Sequence, residues 1–289
     1  MPGSIAELLE LFDLETIEDG LYRARPPVTL MQRVFGGQVL GQSLLAATRT
    51  VPPDRAVHSL HAYFLVGGDP EVPIVYDVDN LRDGRSFSAR RVAARQHGRH
   101  IFYLTASFQV AESGPGHQDR APQVPPPEDC PSLADSMVTT RDAAAAAVLA
   151  AEFAALDVRY AGSSAPGGVL RDPAHPALAR MWMRAADRLP DEATLHRCVL
   201  AYMSDLTLLH ASLVPHPVDI DATQRASIDH AMWFHRPFRA DEWLLYDQVS
   251  PSAQAARGLS VGRIFDTAGA LVATAAQEGL IRPVGLVPY

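Results

Sequence analysis

The chain has 289 residues, 47% hydrophobic and 20% charged, which suits one large or two small globular domains with ample material for a core. A formal net charge of −8 argues against a general nucleic-acid binder, whose surface must be basic, and leaves any anionic ligand to a local cluster of Arg or Lys. Two cysteines, Cys130 and Cys198, indicate no disulfide framework and fit a reducing, cytoplasmic compartment.

The opening MPGSIAELLELFDLETIEDG is acidic and amphipathic, unlike a secretory signal. GGQVLGQSLLAATRTV follows, with Val39, Leu40, Leu44, Leu45 and Ala47 at helical spacing. Residues 58–110 read as long strands rich in β-branched and aromatic residues, divided by RDGRS and by the tight turn RQHGRH. Residues 112–135, ESGPGHQDRAPQVPPPEDCPSLAD, are dense in proline, which removes donors and fixes φ, so they predict a linker rather than a central strand or helix. The apolar run AAAAAVLAA has half the length that a membrane span needs, and the C-terminal GLVPY is no peroxisomal address.

DEATLHRCVLAYMSDLTLLHASL, residues 191–213, is apolar nearly all round and predicts one buried helix. Within AYMSDLTLLHASL, residues 201–213, stands a single carboxylate, Asp205. An isolated buried charge costs several kcal/mol unless it is paired or hydrogen-bonded, so Asp205 either caps the helix or does chemistry. Strands resume over residues 227–279, divided by SPSAQ and by the turn DTAGA.

The two ends of the chain resemble each other. His61-Ala62 lies against His230-Ala231, Tyr76 against Tyr246 and Gln109 against Gln277, at nearly constant offsets that predict an internal duplication. The implied units are residues 1–111, the linker 112–135, and residues 136–289. A long antiparallel sheet wrapped on one buried helix, made twice, is an α+β double hot dog.

VFGGQVLGQSLLAA, VHSLHAYFL, LRDGRSFSARRVAARQ, IFYLTASFQ, SIDHAMWFHRPF, EWLLY and AAQEGLIR together resemble the acyl-CoA thioesterase II family. The resemblance runs from the N-terminus to about residue 282 and weakens across 112–175. It implies a double hot dog that hydrolyses fatty acyl-CoA, of medium to long chain, with water and without metal or other cofactor, as a homodimer or homotetramer. It also implies a catalytic trio of Asp205, Ser227 and Gln277. Thr is the commoner family residue at the position of Ser227; the hydroxyl survives here without the methyl that stiffens its rotamer.

Those residue types suit thioester hydrolysis. Asp205 when ionised only accepts hydrogen bonds, as a base or water-holder does. Ser227 can fix the water's second contact, and Gln277 can orient the water or polarise the thioester carbonyl. Gly36 and Gly37 at the mouth of the first helix allow close backbone approach and present amides. With Gln38 and His58 they make up the candidate substrate-binding set. Arg90 and Arg91 offer guanidinium forks for the CoA phosphates; as neighbours in a strand they face opposite ways.

Plainer readings compete. SIDH suggests a Ser-His-Asp triad, but in a continuous strand Ser227 and Asp229 share one face and His230 takes the other. No strand–G-x-S-x-G–helix context surrounds the serine. His61 and His230 read as repeat-related structural residues, Cys198 as a small helix hydrophobe and Cys130 as a linker thiol. The eleven histidines form no H-E-x-x-H or Cys/His cluster, so no metal is expected. Asp205 lies opposite Gly37 at an offset of 168, implying one active site per chain. A hot-dog enoyl-CoA hydratase would use an Asp and a His five apart, as Asp205 and His210 are, but on a continuous helix they stand ~140° apart. A non-catalytic acyl-CoA binding protein is the third reading.

Overall fold

Strand alternation dictates the architecture, because each long strand must bury one row of side chains. A computed structural model describes residues 1–133, 135, 143–161, 177–216 and 222–283; the tail motif GLVPY and parts of the third unit lie outside them. Among the described residues, thirteen strands form one antiparallel sheet. The first half supplies β1 (Glu15–Glu18), β2 (Leu21–Ala24), β3 (Arg55–Phe64), β4 (Ile74–Asp83), β5 (Phe87–Gln96) and β6 (Arg99–Val110). The second supplies β7 (Leu156–Tyr160), β8 (Leu178–Ala185), β9 (Thr223–Ser227), β10 (Asp229–Phe234), β11 (Leu244–Gln254), β12 (Arg257–Asp266) and β13 (Leu271–Pro283). Their order is β1-β2-β4-β5-β6-β3-β10-β13-β12-β11-β8-β7, with β9 added beside β13. β3 and β10 pair at the centre, His230 opposite Ala62 and Met232 opposite Leu60, so the two halves share one sheet.

Two helices fill the concave side. The first central helix, Gly36–Thr48, and the second, Ala193–Ser204, pack on each other and on one continuous apolar core that includes Leu40, Leu44, Val199, Leu200, Leu60 and Met232. Glycine sets their spacing. A Cβ on Gly37 would sit 2.3 Å from the Tyr202 carbonyl oxygen, and one on Gly41 2.8 Å from that of Cys198. The helices therefore run antiparallel at backbone contact, the start of the first against the end of the second. This is a double hot dog. No helix of the described residues is long and apolar enough to cross a membrane.

The proline-rich segment is more than a spacer. Gln118 donates to the Gly269 carbonyl and accepts from Leu271 N–H, and Trp182 Nε1 donates to the Pro125 carbonyl at 2.9 Å. Cys130 is buried in a small second core with Trp182, Leu245 and Phe265, on the sheet face away from the helices.

Four sequence readings need correction. The stretch 191–213 is not one helix: the helix ends at Ser204, Asp205 is its C-cap, and a separate 3₁₀ turn spans Leu208–Ser212. The angular argument against a shared Asp205–His210 site therefore loses its premise, although His210 is not among the groups that hydrogen-bond Asp205. His61 and His230 are not equivalent, because His230 is fully buried whereas His61 faces outward with its ring edge-on to Trp233. Gln109 does not match Gln277. An offset of 170 carries Tyr76 onto Tyr246 and its partner Ala94 onto Ile264. The same offset carries Arg90 onto Ser260, and these face Ala106 and Gln277 respectively, while Gln109 faces Phe87. Lastly, the strand through SIDH is not continuous. The ladder to β13 slips by one residue between the pairs Ser227–Gly279 and Ala231–Ala276, so the alternation breaks at Ile228 and both Ser227 and His230 turn toward Asp205.

Candidate functional site

The site begins where the second central helix stops. With the helix ended, Asp205 projects toward the first helix's N-terminus, whose positive dipole end favours a carboxylate. The nearby Gly37 backbone N–H also favours the charged form of the carboxyl. Its Oδ1 also accepts from Gln277 Nε2 at 2.5 Å and from Ser227 Oγ at 3.2 Å, and Gln277 Nε2 donates again to Ser227 Oγ at 3.0 Å. Three elements far apart in sequence thus meet on one carboxylate. Both amide hydrogens of Gln277 are committed, which fixes the amide's orientation, since its oxygen would be repelled by the carboxylate.

The Asp205 side chain is 4% exposed. Burial pushes its carboxyl up to about 6, against the pull of the Gln277, Ser227 and Gly37 donors. His230 stands on the other side, Nδ1 3.8 Å from Asp205 Oδ1 and Nε2 2.9 Å from Ser204 Oγ. Burial pushes its pKa down to about 3, so it is neutral at ordinary pH.

A cavity of about 320 Å³ opens beside the trio, lined by Gly36, Val39, Phe64, Phe102, Ser227, Arg33 and Arg225 among others. Gly36 in its wall touches the carboxylate: an added Cβ there would lie 2.5 Å from Asp205 Oδ2 and 2.8 Å from Phe64 Cε1. Of the trio, Ser227 is the member in the lining, and Gly36 leaves beside Oδ2 the space that a side chain would fill. Gly36 N–H, an orphan donor of the first helical turn, lies at the same wall.

The structure brings Asp205, Ser227, Gln277, Gly36 and Gly37 together and leaves four candidates elsewhere. Gln38 is fully buried in the core against Gln42. His58 Nε2 lies 2.8 Å from Ser107 Oγ, with the ring packed edge-on to Phe87. Arg90 is 1% exposed, and its guanidinium is consumed by Thr50, the Arg82 and Ala89 carbonyls and Asp83. Arg91 pairs with Asp79 on the outer face. None of these lines the cavity. Among the described residues, the cationic side chains that do are Arg33 and Arg225, which sequence reasoning missed. Arg33 stands just ahead of VFGG, so its place before the first helix was the available signal. His230 was missed because only the slipped register turns it inward. Among the described residues no group of three or more His, Cys, Asp or Glu is placed to hold a metal.

Comparison with known proteins adds the following. The family model for acyl-CoA thioesterase matches residues 168–280, and that for an acyl-CoA thioesterase N-terminal domain matches residues 25–109. Human acyl-coenzyme A thioesterase 8 is 40% identical over 298 residues, covering 97% of this chain and 91% of the human protein. Acyl-CoA thioesterase 2 of Haemophilus influenzae is 40% identical over 291 residues, covering 98% of this chain and 99% of that protein. The crystal structure of an acyl-CoA thioesterase II from Mycobacterium marinum superposes with a TM-score of 0.81 at 47% identity, covering 96% of this chain and 98% of that one.

Proposed function

The chain belongs to the acyl-CoA thioesterase II family and is an acyl-CoA thioester hydrolase, and we propose that it works by direct attack of a water held by Asp205, Ser227 and Gln277. The observation that carries this reading is the carboxylate itself: buried, held by the Gln277 and Ser227 donors, raised toward neutrality, and set directly behind a cavity wall that Gly36 and Ser227 help to form.

Each residue's role follows from its bonds. Gln277, with both N–H groups spent on Asp205 and Ser227, orients the carboxylate rather than polarising the thioester carbonyl. Ser227 donates to Asp205, accepts from Gln277, and keeps one lone pair for a water hydrogen at the cavity wall. Asp205 Oδ2 takes the water's proton as oxygen attacks the thioester carbon. The Gly36 N–H at the helix N-terminus meets the developing oxyanion, a contact typically worth about 3 kcal/mol of barrier. Collapse of the tetrahedral intermediate breaks the C–S bond. The CoA sulfur recovers the proton from Asp205, leaving a carboxylic acid and the ionised base.

The apolar wall of Val39, Phe64 and Phe102 suits an acyl chain of medium to long length, with a free fatty acid as product. Arg33, its stem laid over Gly67, makes no ion pair or hydrogen bond among the described residues. With Arg225 it takes the phosphate-binding part first read into Arg90 and Arg91. The reading extends to fatty-acid metabolism, to action in the cytoplasm, where two free buried thiols persist, and to a homodimer or homotetramer that covers the sheet edges at β1 and β7. Residues 1–111 and 136–289 are the two repeats, joined by 112–135.

CoA release from saturated acyl-CoAs of C4 to C18 tests it, with wild type beside Asp205→Ala at matched circular dichroism. A loss of a hundredfold or more is expected in the variant. Wild-type rates equal to buffer across the panel would overturn the reading, and crotonyl-CoA hydration would then be measured.

A further inference from the structure

His230 is fully buried, and one of its ring nitrogens has no hydrogen-bond partner among the described residues. Nδ1 makes no hydrogen bond and faces Asp205 Oδ1 at 3.8 Å, while Nε2 lies 2.9 Å from Ser204 Oγ. The Ser204 hydroxyl decides which nitrogen carries the proton. Its Oγ also lies 2.8 Å from the Ala201 carbonyl oxygen and 3.3 Å from Met232 Sδ, both of which can only accept. The Ala201 carbonyl is the nearest acceptor and takes the serine proton, so the Ser204 oxygen accepts from His230 and Nε2 holds the imidazole hydrogen.

We propose that Ser204 locks His230 in the Nε2–H form, so that the negative end of the imidazole dipole, at bare Nδ1, faces Asp205 and keeps this carboxylate a stronger base than its donors alone would allow. The inference rests on Asp205 being the water-activating base. His230 is then a positioning residue that touches no substrate and acts through Asp205. A neutral ring is required, and burial supplies it. Other groups on the surrounding elements do not replace it. Tyr246 on β11 is a buried neutral phenol whose hydroxyl donates to the Ser204 carbonyl. Asp229 on β10 and Glu278 on β13 are turned away, the first to the Glu278 N–H and the second to Arg257. Arg33 and Arg225 lie along the cavity wall. On the second helix, Tyr202 is a buried neutral phenol.

Removing the serine hydroxyl removes the lock. In Ser204→Ala the imidazole hydrogen is free to move to Nδ1, where it donates to Asp205 Oδ1 and stabilises the carboxylate. The acidic limb of kcat/KM should then fall by about one pH unit. The plateau rate should drop roughly threefold to tenfold as the base weakens.

The experiment is nitrogen NMR of ¹⁵N-histidine-labelled protein, wild type and Ser204→Ala, with the Asp205 carboxyl titrated by carbon NMR and the pH–rate profile recorded alongside. Support is a bare Nδ1 in wild type, and in the variant a protonated Nδ1 with the Asp205 titration moved to lower pH. A wild-type ring protonated on Nδ1 overturns the proposal, and this result needs no variant to fold. So does a folded Ser204→Ala whose Asp205 titration is unmoved or raised. Both spectra are read on resting protein, so they stand apart from the thioesterase reading, which fails instead if wild type releases no CoA.

Discussion

The two halves solve the same packing problem and spend their buried polar groups differently. Each buries a tyrosine hydroxyl beneath its helix, Tyr76 donating to Gln42 at 2.6 Å and Tyr246 to the Ser204 carbonyl at 3.3 Å. In the first half Gln42 passes the network on to the Leu11 carbonyl, and buried Arg90 ties β5 to Thr50 and Asp83. That network joins protein to protein, apart from Gln38 Oε1, which has no partner among the described residues. In the second half Ser260 stands in place of Arg90 and Gln277 in place of Ala106, and the helix ends at a carboxylate beside a cavity. A buried polar group fully satisfied by protein holds a fold together; one left with a face toward a cavity can act on what enters.

The sharpest way to break the contrast is Gly36→Ala. The new Cβ would lie 2.5 Å from Asp205 Oδ2, filling the space between the carboxylate and the cavity wall without removing any trio member. We expect kcat/KM to fall about a hundredfold or more, read by CoA release, with circular dichroism unchanged. A variant within threefold of wild type would mean that water reaches the carboxylate by another route.

Arg90→Met tests the first half's network. It strips the Thr50, Arg82 and Ala89 carbonyls and Asp83 of their shared donor, and should cost about 3 kcal/mol in urea unfolding. KM for acyl-CoA should stay unchanged. A raised KM at intact stability would restore Arg90 as a phosphate ligand.

Asp205→Asn measures what the buried carboxylate costs. The folded carboxyl titrates at about 6 against about 3.9 unfolded, so the folded state binds the proton more tightly. Stability from this group is present below the unfolded value and is lost as pH rises through the folded one. Wild type should therefore lose about 2 kcal/mol between pH 4 and pH 7 from this group alone. At pH 8 the asparagine variant should be inactive yet more stable, with the gap closing toward pH 4. Parallel stability curves across that window would show that the carboxylate carries no penalty.

The smallest effect concerns the cavity mouth. Arg33→Ala should raise KM for acyl-CoA about fivefold, and less so at high salt, with Tm unchanged. An unchanged KM at low salt would send the phosphates elsewhere.

Much of this molecule was legible in its amino-acid order, because the informative forces are local. The β-branched and aromatic residues of the long strands, turn residues at RQHGRH and DTAGA, and the apolar run around Leu200 announce strands, hairpins and a buried helix without reference to one another. The repeated pattern and the motifs were enough for the double hot dog and the family, and Asp205 stood out as a charge in an apolar helix. Tertiary structure decided what depends on register and on where chains meet. Bulges between Val57 and Ser59 and between Ile264 and Phe265, together with the slip at Ile228, change the residue count between equivalent points. Constant offsets therefore paired His61 with His230 wrongly, and strict alternation sent His230 to the wrong face. Arg33 entered the site, and Arg90 left it, through contacts with residues remote in sequence. A one-residue slip costs little along the chain and turns a side chain to the opposite face; that is why local pattern foretold the elements and packing alone selected the site.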